Sequence, residues 1–418
     1  MIDTAMMKKW VRLDNAAKIF PAAASDANTL VFRYTCELFE PVDPVILQEA
    51  LDSTIEEFDV FQYVMRRGLF WYYLESTDLR PVVREEYKSP CSRLYEPGRR
   101  SLLYEVTYYR KTINLEVYHA LTDGTGALHF MELLVTKYLS KKHNIPEPPT
   151  YYDASKTQMD DDSFRRFASK KSLSRKKLPN AYHLRGMKYS ENRISVIRGN
   201  MPLSKMLELS RSYGCTLTAL LGAALINAIG ATVPVSMAHK PVVVAIPVNL
   251  RKYFPSVSAR NFFSMVHVGR TVDPLNLPDL RELAVWFGKE LAEKTTPENM
   301  LDDINSYAGA ESHPIARITP LPIKNLVLRY AYLHAQKKDT ATLSNVGAIK
   351  LPLEVEGYVR SFSICNATNR IQACICSYRD VLSVSFSTPF VSSDVQRLFF
   401  RTFSALGIDV EISANRLD

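Results

Sequence analysis

The chain of 418 residues contains few cysteines and few glycines, 6 and 15 respectively. Six cysteines are too few to form a disulfide scaffold in a chain of this length, which favours a reduced, cytoplasmic location. The longest apolar runs fall well short of the ~20 residues that a membrane-spanning helix needs. The first ten residues lack the apolar core of a signal peptide, so we expect none. What remains is an ordinary globular composition, and the length predicts two or three domains, with two as the first expectation.

Several catalytic and cofactor-binding motifs are also missing. There is no Gly-x-Ser-x-Gly elbow of a serine hydrolase, no phosphate-binding P-loop and no Gly-x-Gly-x-x-Gly dinucleotide fingerprint. Cys215 lies in the apolar opening of a predicted helix, where a core role is more common than a nucleophilic one. Cys374 and Cys376 have no second cysteine pair or nearby histidine to complete a metal site. We therefore expect neither a metal nor a bound cofactor.

The net charge of +8 lies in one segment. Residues 165–193 hold ten Lys/Arg and a single acid, Glu191, which gives +9 locally and leaves about −1 for the rest of the chain. Such a run is usually a solvated crossover between domains. Because aromatic residues interleave with the basic ones, binding of nucleic acid or of a membrane is a second interpretation. No recognisable nucleic-acid-binding motif supports it, so no nucleic acid is expected.

Hydrophobic periodicity predicts a mixed α/β (α+β) chain with two similar halves. We place an N-terminal half at 1–165, a basic linker at 166–193 and a C-terminal half at 194–418. The aromatic stretch 70–73 is predicted to be core, with a tunnel lining as the alternative. The main predicted strands are 30–39, 102–109, 113–119, 241–248, 261–272, 341–345, 355–363, 371–378 and 381–387. The main predicted helices are 44–58, 126–140, 204–213, 216–229, 278–294, 323–335 and 393–405.

The most informative stretch is 116–127, which contains His119 followed four residues later by Asp123 and Gly124. The histidine ends an apolar strand, where a sheet can fix its position, and its side chain can act as a base near neutral pH. Glycine permits the tight turn that leads into the next helix. The alternative is an Asp-Gly turn that caps a helix beside a core histidine.

Further motifs follow in a fixed order. This order resembles that of the condensation-domain and chloramphenicol-acetyltransferase-like acyltransferases, and is most similar to their alcohol O-acetyltransferase branch. The second histidine of the family's His-His-x-x-x-Asp-Gly motif matches His119, and Tyr118 replaces the first. The segments that carry the resemblance are 10–20, 116–127, 212–224, 245–251, 260–263 and 343–347 with Pro352. The resemblance implies two sandwich halves with the active-site channel between them.

The resemblance also implies roles for single residues. His119 would be the general base, and Asp123 a structural partner of an arginine, either Arg251 or Arg33. Gly124 would shape the turn. Ser344 and Asn345 are candidate donors to the reaction's oxyanion, with Asn261 a weaker candidate. The stretch that contains Ser344 and Asn345 is equally typical of a strand-end turn.

The family joins an acyl thioester to a hydroxyl or amine without a covalent enzyme intermediate. We therefore expect an acyltransferase, most simply a monomer that uses acyl-CoA as co-substrate and a small or lipid-like alcohol as acceptor. A carrier-protein-bound thioester supplied by a partner is the alternative donor. If acyl-CoA is the donor, part of the basic segment would bind the phosphates of CoA. The candidate phosphate-binding residues are Lys170, Lys171, Arg175, Lys176 and Lys177.

Overall fold

The computed structural model describes residues 9–149, 162–169, 179–312 and 318–415. Within these ranges the chain forms fifteen strands and eleven helices. The strands are β1 (Trp10–Arg12), β2 (Val31–Leu38), β3 (Tyr63–Arg67), β4 (Tyr72–Ser76), β5 (Arg84–Glu85), β6 (Tyr104–Tyr109), β7 (Thr112–Tyr118), β8 (Ser195–Pro202), β9 (Val242–Asn249), β10 (Phe263–Arg270), β11 (Ala341–Ile349), β12 (Val359–Asn366), β13 (Ile371–Tyr378), β14 (Val381–Thr388) and β15 (Glu411–Ala414). The helices are α1 (Phe20–Ala23), α2 (Pro44–Ile55), α3 (Gly124–His143), α4 (Ser163–Phe167), α5 (Leu203–Ser212), α6 (Leu217–Gly230), α7 (Leu280–Lys294), α8 (Pro297–Ser312), α9 (Leu321–Gln336), α10 (Leu353–Glu356) and α11 (Asp394–Ser404).

Two large sheets organise these elements, as the prediction of two mixed α/β halves requires. The first has five strands in the order β12-β2-β7-β6-β5, and the second has seven in the order β10-β9-β11-β13-β14-β8-β15. Helices α2 and α3 share a buried core with the first sheet, and α6, α7 and α11 share one with the second. A small sheet, β1-β4-β3, completes the architecture. The predicted fold class is confirmed.

Strand β12 joins the two halves. It follows β11 of the second sheet in sequence, yet it pairs antiparallel with β2 at the edge of the first. Next in the chain, β13 returns to the second sheet, and its alternate side chains divide between the cores. Ala373 and Ile375 pack into the second core, whereas Cys374 and Cys376 pack into the first. The second sheet therefore presents one face to each core.

Local chemistry explains where several helices begin. The Asp43 side chain accepts hydrogen bonds from the first turn of α2, and Thr216 and Asp279 do the same for α6 and α7. These residue types are the preferred N-caps because their side-chain oxygens satisfy free N–H groups. Strand β9 begins with five buried residues, as its continuous apolar sequence predicts.

Three predictions about elements were wrong in detail. Helix α8 was not predicted, because its sequence is mostly polar apart from buried Met300 and Ile304. The predicted strand 261–272 begins only at Phe263, so Asn261 lies in the loop before β10. The aromatic stretch 70–73 is not core, because its side chains are partly exposed and contact α9.

No single helix in the described part of the chain is long and apolar enough to cross a membrane. The pair α5 and α6 reaches the required length and composition only jointly, and it is bent by 85°.

Candidate active site

His119 stands at the end of β7, where the first half faces the second. Its backbone N–H donates to the carbonyl of Leu30 at 2.9 Å, which fixes the residue against the start of β2. The half-buried imidazole is surrounded by the rings of Phe20, Phe32 and Phe263, whose centroids lie 5.0, 5.0 and 5.6 Å from its own. Phe20 and Phe32 come from the first half and Phe263 from the second. The histidine therefore lies at the boundary of the halves, in an apolar setting.

A hydrogen bond to Asn261 determines which ring nitrogen of His119 carries the proton. Nδ1 lies 3.1 Å from Asn261 Oδ1. The amide nitrogen Nδ2 of Asn261 donates to Asp14 Oδ2 at 3.1 Å and to the His119 carbonyl at 3.0 Å. Because both amide hydrogens are used there, Oδ1 is the acceptor and Nδ1 of the ring is the donor. The lone pair of His119 Nε2 is then available to take a proton.

The surroundings of His119 also favour its neutral form. Burial lowers the pKa of the imidazole below its ordinary value of 6.5, and the carboxylate of Asp123 and the hydrogen bond that the ring donates to Asn261 offset this only in part. An imidazole with a pKa in this range is largely uncharged at neutral pH, as a general base must be.

Asp14 is a member of the site that the sequence argument missed. Its Oδ1 accepts the N–H of Ala17 at 2.7 Å, and its Oδ2 accepts both N–H groups of Asn261, backbone and side chain. The buried Arg260 places its Nε 3.6 Å from the same Oδ2. The chain His119–Asn261–Asp14 therefore holds the ring from behind. The sequence did contain one indication of this role, because Asp14 lies within 10–20, a segment that carries the family resemblance.

Asp123 caps helix α3 and crosses to the second half. Its Oδ1 accepts the N–H groups of Thr125 and Gly126, both at 3.1 Å. Its Oδ2 accepts Arg251 Nη1 at 2.7 Å and the N–H of Phe262 at 2.9 Å. Four donors from two parts of the chain thus converge on one buried carboxylate, which fixes the turn that follows His119.

Of the two arginines considered as partners of Asp123, the structure selects Arg251. Its other N–H groups reach the carbonyls of Ser258, at 2.8 and 3.1 Å, and of Arg260, at 2.5 Å. Arg33 lies elsewhere in the first sheet, where its Nε donates to Glu116 at 2.9 Å. Arg251 is therefore an internal part of the site and not a surface charge.

The glycines after Asp123 lie where the halves approach closely. A Cβ on Gly126 would overlap the carbonyl oxygen of Ala259, in the second half, and the hydroxyl of Thr122. The carbonyl of Gly124 accepts the Tyr34 hydroxyl at 2.7 Å. The small residue at 126 is thus required by packing between the halves.

Ser344 and Asn345 are consecutive residues of β11, so their side chains point to opposite faces of the sheet. Ser344 pairs in register with Cys374, so it faces the joint between the halves. The Asn345 amide is used locally: its Nδ2 donates to Thr218 Oγ1 at 2.9 Å and its Oδ1 accepts the N–H of Gly347, also at 2.9 Å. Of the two, Ser344 has the more suitable orientation for a donor to an oxyanion between the halves.

The end of β11 also lies near the His119 turn. The register of β11 against β13 shifts between Asn345 and Gly347, and Gly347 has a φ of +93° that favours glycine. Within this bulge, Val346 Cγ2 lies 3.9 Å from the position that a Cβ on Gly124 would take. The serine and the histidine motif therefore belong to one region. Both amide hydrogens of Asn261 are donated to Asp14 and to the His119 carbonyl, so its role as an oxyanion donor stays a prediction that this hydrogen bonding does not favour.

The five candidate phosphate-binding residues, Lys170, Lys171, Arg175, Lys176 and Lys177, lie outside the described residues. Arg165, from the same basic segment, borders a cavity of about 260 Å³ behind Asp14. The residues that line the cavity are Trp10, Val11, Arg12, Asp14, Asp162, Arg165 and Arg260.

In the described part of the chain, no group of three or more His, Cys, Asp or Glu side chains is arranged to hold a metal ion.

Comparison with solved structures gives the same fold. F. graminearum TRI101, complexed with coenzyme A and T-2 mycotoxin, aligns with a TM-score of 0.65 at 10% identity over 96% of this chain and 99% of that one. Polyketide synthase associated protein 5 from Mycobacterium tuberculosis gives 0.58 at 13% identity over 95% and 99%. The first condensation domain of the CDA synthetase gives 0.59 at 13% identity over 94% and 95%.

No protein-family model matches the chain, and no curated protein matches it in sequence. The structural likeness covers almost the whole chain, so the chain has the same fold as TRI101 and the condensation domain. The fold implied by the ordered motifs is thereby confirmed.

Proposed function

We propose that this protein is an acyltransferase that moves an acyl group from acyl-CoA to an alcohol, with His119 as the general base. One observation carries the proposal. The Nδ1–H group of His119 donates to Asn261 Oδ1, and burial favours the uncharged ring, so the lone pair of Nε2 is available as a base at the joint of the two halves. The fold shared with TRI101, whose structure contains coenzyme A, supports the choice of donor.

The reaction would proceed without a covalent enzyme intermediate. The acceptor hydroxyl attacks the thioester carbonyl carbon while its proton passes to His119 Nε2. The carbonyl oxygen becomes an oxyanion, for which the Ser344 hydroxyl is our preferred donor and Asn345 the second. The intermediate then collapses, the carbon–sulfur bond breaks, and the leaving thiolate takes the proton from Nε2. The products are an ester and free CoA, and the histidine returns to its neutral form.

The direct test is a His119→Ala variant. A positioned base typically contributes ~10²–10⁴-fold, so we expect a loss of that size in kcat. Donors from acetyl-CoA to palmitoyl-CoA are screened against a panel of alcohols, with release of free thiol as the readout. His129→Ala is the matched control, because it removes a second histidine, on α3, whose ring contacts Glu132. Equal activity of the wild type and His119→Ala would refute the proposal.

The same screen separates the two donor classes. Each acyl group is offered as acyl-CoA and as a thioester on a carrier protein's phosphopantetheine arm. We expect turnover with free acyl-CoA, and activity only with the carrier-bound donor would replace this assignment by the condensation type. Neutralising Lys170, Lys171, Arg175, Lys176 and Lys177 together should raise the KM for acyl-CoA and leave kcat unchanged, if these residues meet the phosphates.

A further inference from the structure

Helix α9 (Leu321–Gln336) exposes its apolar side. Five large side chains, three and four residues apart, form the outer face of α9, and each is between 50% and 72% exposed. Such a stripe on a globular protein normally faces the core. The outer face of α9 consists of Ile323, Leu326, Val327, Tyr330 and Leu333.

The opposite side of α9 holds the helix to the body of the protein largely through polar groups. The ammonium of Lys324 donates to the carbonyl of Phe70 at 2.8 Å and lies 3.2 Å from the centroid of the Trp71 ring. Asn325 Nδ2 donates to the Tyr72 hydroxyl at 3.0 Å. These contacts fix the rotation of the helix about its axis. The outward direction of the apolar stripe is therefore set by the fold.

The apolar surface extends beyond the helix and is bordered by positive charge. Ile318 and Leu69 are each 72% exposed, and Leu69 is joined to the start of α9 by a backbone hydrogen bond. Residues 318–338 contain four Lys/Arg and no Asp or Glu. Of these, Arg329 and Lys337 are exposed. An apolar helical face with cations at its margins is typical of helices that lie in the plane of a lipid surface.

We infer that the outer face of α9 docks this protein onto an anionic lipid surface. The aliphatic residues would enter the boundary between headgroups and acyl chains, and the cations would contact lipid phosphates. A second copy of the chain fits less well, because pairing two such faces would bring Arg329 and Lys337 near their own copies. A protein partner is also less favoured, because the face is mainly aliphatic, whereas protein hot spots are enriched in Trp, Tyr and Arg.

The docking surface lies close to the proposed catalytic base. Helix α9 packs on α1, and Phe20 at the start of α1 is one of the three residues whose rings surround His119. Resting on the proposed function, this position would suit an acceptor alcohol that resides in the lipid surface. Lipid binding itself needs no catalysis, so His119→Ala should bind vesicles like the wild type even though it is inactive.

The experiment is cosedimentation of the full chain with vesicles of phosphatidylcholine alone and of phosphatidylcholine mixed with phosphatidylglycerol. We expect binding to the mixed vesicles that weakens with salt. The variant L326S/V327S/Y330S should bind vesicles about tenfold more weakly or worse, since it removes apolar area that would enter the lipid surface. The control M187S/L275S/L353S removes three other exposed apolar side chains, 77–82% exposed, and should bind normally. R329Q/K337Q should reduce the preference for anionic lipid.

Several results would overturn the inference. Absence of vesicle binding, equal binding to neutral vesicles, or equal losses in the two triple variants would each do so. Gel filtration over a range of concentrations provides the remaining comparison: a dimer that is lost in L326S/V327S/Y330S would assign the face to a second copy. A failure of acyl transfer with vesicle binding intact would remove the proposed function and leave the docking surface in place.

Discussion

Two arginines in this molecule pair with buried carboxylates, and they do so in different places. Arg251 belongs to the second half and reaches Asp123 in the turn after His119. Arg33 pairs directly across the strands β2 and β7 with Glu116, so both partners lie in one sheet. The Arg251–Asp123 pair therefore links the two halves at the active site, whereas the Arg33–Glu116 pair connects two strands within one half. Similar chemistry thus predicts different consequences when each pair is broken.

Arg251→Met should have the largest effect. Removing one partner of a buried pair leaves the other charge uncompensated, which costs about 3–5 kcal/mol of unfolding free energy. The turn that carries Asp123 would also shift relative to the second half, and kcat/KM should fall by ~10²-fold, as small displacements at an active site do. Urea unfolding measures the first quantity, and kinetics on the folded fraction measures the second.

Arg33→Met is the matched control for that experiment. It should also lower stability, by up to about 3–5 kcal/mol, because the buried Glu116 is left with the more distant Lys88 ammonium, at 3.9 Å. The kinetic constants of the folded fraction should change little, since no contact between the halves is lost. If Arg33→Met lowered kcat/KM as much as Arg251→Met, the distinction between an ion pair that links the halves and one that lies within a single half would be wrong.

Substitution of the glycines in the His119 turn tests the same joint through packing. Gly126→Ala should destabilise the protein by about 1–3 kcal/mol, because the added methyl overlaps the Ala259 carbonyl from the other half. Gly124→Ala should be better tolerated, since its Cβ would lie at ordinary contact distances, 3.4 Å from the Tyr34 hydroxyl and 3.9 Å from Val346 Cγ2. Thermal unfolding of both variants gives the comparison. Equal effects would show that close approach of the halves does not govern this turn.

The smallest expected effect is a shift of a pH profile. Protonated His119 is no base, so kcat/KM should fall on the acid side with a midpoint below 6.5, because burial lowers this pKa. The hydrogen bond from the His119 ring to Asn261 favours the charged ring, so Asn261→Ala should move the midpoint to still lower pH. It should also lower kcat by about tenfold through loss of the fixed tautomer.

Asn299→Ala is the control for the pH measurement, because the Asn299 side chain donates to the carbonyl of Glu293 near the end of α7. A purely structural role of Asn261 would lower the yield of folded enzyme and leave the acid midpoint where the wild type has it. That outcome would remove Asn261 from the positioning of the base.

The parts of the site that the sequence revealed are the local ones. His119, Asp123 and the glycines lie within a few residues of one another, so the strand end, the turn and the helix cap can be read from one stretch. The Asn261–Asp14 contact joins residues 247 positions apart, and no local pattern encodes such a pairing. The choice between Arg251 and Arg33 stayed open for the same reason.

The fold shows a similar limit. Periodicity predicts a helix at 323–335 and a strand at 355–363; the helix exists, whereas the strand begins only at Val359, because Leu353–Glu356 form the short helix α10. It gives neither the sheet that β12 joins nor the direction in which the apolar stripe of α9 points. The stripe faces outwards because Lys324 and Asn325 are bound on the inner side, which is a tertiary property.

The exchange of β12 between the sheets has a practical consequence for anyone who dissects the protein. A fragment that ends at the basic linker would lack Val359–Asn366, and the whole of β2 would become an open edge with unsatisfied hydrogen bonds. Such a fragment should aggregate unless the missing strand is supplied, for instance as a fused or added peptide. Gene fusions, split reporters and truncation series should therefore treat the chain as one folding unit, whatever its two-part appearance suggests.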